Sequence, residues 1–143
     1  MSHDVRGRSR HGELDLDQLV ELQPGLGRLM PEVGRRYWVL YHAAHGGNWG
    51  LAAYQLRQIV HLFRIGSTTR PKRAAMMESY RQEIFEPLAA AIEAGDLLAF
   101  DRIYEEGIRS ADRFHAATNH PEIRWRLPAA PPPDLDLGPT PAR

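Results

Sequence analysis

The sequence predicts an all-α protein: an up-down-up-down antiparallel four-helix bundle over residues 28–120, followed by an extended Pro-rich C-terminal tail over residues 121–143. Three observations predict it. Apolar residues recur at helical spacing in four separate stretches. Short links holding glycine, asparagine or proline join those stretches. Beyond Pro121, the prolines at Pro128, Pro131, Pro132, Pro133, Pro139 and Pro141 forbid any further helix.

The first 27 residues read as a flexible arm, basic at Arg6, Arg8 and Arg10, with room for one short helix on Leu14, Leu16, Leu19 and Leu22. The first bundle helix should begin at Met30-Pro31-Glu32, because proline suits a first turn whose N–H groups have no partner. Gly46-Gly47 should stop it near His45. Asn48 then offers a side-chain oxygen as N-cap to a second helix running to about Arg64, with a loop over residues 66–69. A third helix follows Pro71 and should kink or break near residues 84–86, just ahead of Pro87. Gly95 ends it, and Asp96 caps a fourth helix that reaches about Thr118.

Each helix carries one apolar stripe. Val33, Tyr37, Leu40, Tyr41 and Ala44 share a face of the first, and Ala52, Leu56, Ile59 and Phe63 share a face of the second. Met77, Tyr80, Ile84 and Leu88 do so in the third, and Phe100, Ile103, Tyr104, Ala111 and Phe114 in the fourth. In the tail, Ile123, Trp125 and Leu127 alternate with arginines. This predicts that the chain folds back to about Pro128, docking Trp125 on the bundle, and is mobile past Pro133.

Composition narrows the function classes. A chain of 143 residues suits one domain, and 18 basic residues against 18 acidic ones give no global charge to attract nucleic acid or an anionic membrane. With no cysteine there is no disulfide, thiolate ligand or thiol nucleophile. No signal-peptide pattern or membrane-spanning run is evident, so a cytoplasmic location is expected. Phosphate loops, di-iron Glu-x-x-His pairs and nucleophile elbows are missing as well, so the chain reads as a binder before an enzyme.

Histidine is the remaining reactive residue. His42 and His45, spaced i and i+3 beside Trp38, point away from the stripe of the first helix and read either as metal ligands or as a subunit interface. His61, near Tyr54 and Arg57, is a surface residue or a further ligand for a divalent metal. His115 lies close to the centre of the fourth stripe and can face the core, and His120 can cap the end of that helix.

Three segments carry a resemblance to a known family. They are Gly47-Asn48-Trp49-Gly50-Leu51-Ala52-Ala53-Tyr54-Gln55-Leu56, Pro87-Leu88-Ala89-Ala90-Ala91-Ile92 with Asp96 and Phe100, and His120-Pro121-Glu122-Ile123 with Pro128. The chain resembles the bacterial four-helix-bundle cytochromes related to the cytochrome c-prime group. In that family the fourth helix carries Cys-x-x-Cys-His, whose cysteines bond haem and whose histidine ligates its iron. Here the matching stretch is Ala111-Asp112-Arg113-Phe114-His115, which keeps the histidine and lacks both cysteines. The resemblance therefore implies non-covalent binding of haem b, with His115 as axial ligand, Trp49, Tyr54 and Phe114 as pocket residues, and a role in sensing, redox or small-molecule chemistry. It also implies a homodimer paired through the first two helices. The alternative is a cofactor-free bundle that binds a small molecule or a protein.

Overall fold

In the computed structural model, which describes residues 5–139 and 142, the chain is mostly helical, with a small two-stranded sheet at its start. From Val5 onward the N-terminal arm carries regular structure; residues 1–4 lie outside the described residues. Strands β1 (Arg6–Ser9) and β2 (Gly12–Asp15) pair antiparallel, with Arg8 bonded to Glu13 across the ladder. No apolar alternation marks Arg6–Ser9, which is why the sequence did not signal a strand. Helix α1 (Leu16–Glu21) begins in a capping box: the Gln18 N–H donates to Asp15 at 2.8 Å, and the Asp15 N–H donates to the Gln18 side chain at 2.9 Å.

Helix α2 (Leu26–His45) starts four residues before Met30, so Pro31 lies inside it rather than in its first turn. It ends at Gly46 as expected, and Gly47 takes φ 77° in the turn. Helix α3 (Trp49–Thr69) is capped by Asn48, whose side chain accepts from the Leu51 N–H at 3.0 Å. It runs through the expected loop at 66–69. Gly66 is a packing position and not a stop: a Cβ there would sit 2.9 Å from both Leu26 and Met77, so the missing side chain lets α3 approach its neighbours.

The third helical stretch divides. A 3-10 turn at Pro71–Arg73 leads into α4 (Ala74–Tyr80), a π-helical turn at Arg81–Phe85 and α5 (Glu86–Ala94). Pro87 explains the π turn, because its ring crowds the carbonyl one turn back, and the wider turn lets the Glu86 N–H bond Arg81 instead. Gly95 closes α5 in the left-handed conformation at φ 63°, and Asp96 caps α6 (Leu97–Ala117) by accepting from Ala99 at 3.0 Å.

The α2 helix packs on α3, α3 on α4 and α5, and α5 on α6, while α6 touches α2 and closes the ring. Leu40, Ile59, Leu88, Phe100 and Tyr104 fill the centre, each about fully buried. Phenol hydroxyls tie the helices together there. Tyr37 donates to the Tyr104 carbonyl at 2.9 Å, Tyr104 donates to the Tyr37 carbonyl at 2.7 Å, and their rings stack 3.9 Å apart. Tyr80 donates to the Gly107 carbonyl at 2.8 Å.

Past α6 the chain returns over α2. Trp125 stands edge-on to Tyr37 at 5.6 Å and fits only because residue 34 is glycine, where a Cβ would be 2.8 Å from the indole nitrogen. Contacts with the bundle continue past Pro133. Pro132 is buried, Asp134 pairs with Arg35, and Leu137 joins the edge of the core against Gly46. Pro141 lies outside the described residues.

Candidate functional site

The histidines singled out in the sequence go to five different places. His42 Nε2 lies 3.1 Å from the Pro128 carbonyl, His45 Nε2 lies 2.7 Å from the Asp101 carboxylate, and His115 Nδ1 lies 3.0 Å from the Ile123 carbonyl. His61 is exposed on α3. Among the described residues, no three His, Asp or Glu side chains gather as metal ligands would. His120 caps the end of α6 through its backbone N–H, which donates to the His115 carbonyl at 2.8 Å, while its ring lies 3.1 Å from Glu122.

A common cause accounts for two of these imidazoles and for Trp38. The proline-limited tail has no helical or strand partners for its carbonyls, so ring N–H groups on the bundle supply donors. Trp38 donates to Ala130 at 2.9 Å, His42 to Pro128 and His115 to Ile123. Arg35 lies 5.5 Å from the Trp38 ring while holding Asp134. The α2 face that the sequence left open for a second subunit is therefore occupied by the chain's own tail. His45 joins α2 to α6 through Asp101, with the Tyr41 ring tilted against its own at 4.3 Å.

The residues expected to line a haem pocket lie apart. Trp49 packs edge-on to Phe100 at 6.1 Å, near the start of α6, whereas Phe114 packs on Tyr80 at 5.9 Å near its end. Fifteen residues of helix separate Phe100 from His115, about 22 Å at 1.5 Å per residue. Tyr54 is 45 % exposed on α3. His115 itself is oriented as an axial ligand would be, since an Nδ1–H donated to Ile123 leaves the lone pair on Nε2. Neither the groove nor the cleft described below includes His115 in its lining.

A concave feature lies elsewhere, along α3 and α5. It is an open groove of about 750 Å³ with Trp49, Leu56, Val60, Phe85 and Ile92 in its floor. Small residues make the room: Gly50 and Ala53 on α3 face Ala89 on α5, where larger side chains would fill the space. The two walls differ in charge. Arg57, His61 and Arg64 rise along α3 at i, i+4 and i+7, and Glu86 and Glu93 line the α5 side. At the Arg64 end, Arg81 is held by Glu78 and Glu86, and the Arg81 guanidinium lowers the Glu78 carboxyl to about 2. Sequence reasoning noted Trp49 and His61 but missed their sharing one groove, because the rotation of α3 against α5 is not written in the periodicity of either. A smaller cleft of about 220 Å³ lies between Arg36, Gln55 and Leu135.

No helix among the described residues is long and apolar enough to cross a membrane. Comparison with protein-family models, with curated proteins and with solved structures gives no match.

Proposed function

We propose that this chain is an antiparallel up-down-up-down bundle that binds a small molecule in the groove between α3 and α5. One observation carries the reading: an apolar-floored groove of about 750 Å³, which falls within the size range of ligand pockets. A dimer through the Trp38 face is not part of it, because Pro128, Ala130 and Asp134 lie there. The test is titration with Nile red, a neutral dye whose emission reports apolar surroundings. It should bind at one site per chain, and Ala89→Trp should abolish binding by filling the groove without disturbing the core, since Ala89 is exposed. Equal binding to both proteins at unchanged melting temperature would place any ligand elsewhere.

A second reading keeps haem b on His115 and is favoured by the orientation of its imidazole. It requires the Phe114 ring to swing away from Tyr80 and open space beside Nε2 while the Ile123 carbonyl keeps Nδ1. Haemin titration should then give a Soret shift that His115→Ala removes. An unshifted spectrum in the wild type rejects it.

A further inference from the structure

We infer that the ligand of the α3–α5 groove is a single-chain amphiphile with an anionic head, its hydrocarbon lying on the groove floor and its head between Arg57, His61 and Arg64. The inference rests on the groove being the binding site and adds the chemical class of what enters it.

The charge pattern of α3 points to the head. This 21-residue helix contains no aspartate or glutamate, so its cations have no partner on their own helix. Elsewhere in the fold several arginines are paired: Arg8 with Glu13, Arg35 with Asp134, Arg36 with Glu32, Arg81 with Glu78 and Glu86, and Arg109 and Arg113 with Glu106. The side chains of Arg57, His61 and Arg64 have no hydrogen-bond or ion-pair partner among the described residues. Glu86 across the groove is already engaged by Arg81, and Glu93 stands by Trp49 at the far end. Residues at i, i+4 and i+7 of a helix are successive neighbours about 5–6 Å apart at Cβ, so an oxyanion between two of them accepts from both.

The shape points to the chain. From Trp49 to Arg64 the groove follows α3 for about 22 Å at 1.5 Å per residue. Its apolar floor runs beside the cations rather than beneath them: Trp49, Ala53, Leu56 and Val60 continue away from Arg64 toward Trp49. A compact anion would leave that floor wet, and a neutral hydrocarbon would leave the cations unused. An extended apolar body ending in a carboxylate or phosphate uses both.

The experiment measures displacement of Nile red, and binding heat directly, with decanoate, decyl phosphate, 1-decanol and decyltrimethylammonium, each below its micellar concentration. The expected result is that decanoate or decyl phosphate binds at least tenfold tighter than 1-decanol, the tighter of the two naming the head. Arg57→Gln combined with Arg64→Gln should erase that advantage while leaving 1-decanol binding and the melting temperature unchanged, since both arginines are exposed. Equal binding of decanoate and 1-decanol, preference for the ammonium, or an undiminished advantage in the double variant overturns the inference. In those cases dye binding that Ala89→Trp abolishes would still support the groove as the site. If neither dye nor amphiphile binds, both readings fall.

Discussion

The Tyr37 and Tyr104 hydroxyls each donate to the other residue's backbone carbonyl, so α2 and α6 are held in register by a reciprocal pair of bonds between stacked rings. The sequence places both tyrosines on apolar stripes but cannot reveal that their polar ends cross between helices, since spacing reports a face and not its partner. Tyr104→Phe should cost about 1 kcal/mol in chemical denaturation, because the stacked ring survives and the Tyr37 carbonyl keeps its helical partner. Burial, with smaller contributions from neighbouring charges, raises the hydroxyl pKa of Tyr37, Tyr80 and Tyr104. The stability linked to this is fully present below the unfolded tyrosine value of about 10 and is lost as pH rises toward the raised folded values. Above that value the unfolded chain releases phenolic protons that the folded chain retains, so each buried phenol lowers stability by about 1.4 kcal/mol per pH unit. Denaturant midpoints between pH 9 and 12 should therefore fall steeply. A flat profile would mean these hydroxyls are not buried in solution.

At the scale of elements, caps were legible and packing exceptions were not. Asn48, Gly95 and Asp96 act at the helix ends that their chemistry indicates. Gly66 misled because a glycine that permits close approach and one that ends a helix are the same letter, and only Leu26 and Met77 tell them apart. The tail was half legible: Trp125 signalled docking, but Leu137 and the Arg35–Asp134 pair lie in a stretch whose prolines and aspartates look like linker. Trp125→Ala should cost on the order of 2 kcal/mol, less than a fully buried aromatic because the indole is half-exposed. Ending the chain at Pro133 should lower the melting temperature by about 3 °C or more, as the Leu137 contacts and the Asp134 pair are lost. A truncated protein that melts like the full chain would show that the last segment is not seated.

Over the whole molecule, the helical class followed from four amphipathic stretches, yet the candidate site did not. The sequence drew attention to His42, His45 and His115, and the fold uses these to hold Pro128, Asp101 and Ile123. The groove depends on what is small or missing, Gly50, Ala53 and Ala89, and on two helices meeting at an angle that neither encodes alone. Its floor, its volume and its unpaired cations are properties of the assembled ring. The most direct test is a backbone amide NMR spectrum of the ¹⁵N-labelled full chain recorded with and without decanoate. Shifts confined to residues 49–64 of α3 and 81–93 across the groove are the predicted result. Shifts centred on His115 and Ile123, or scattered without a locus, would contradict the account.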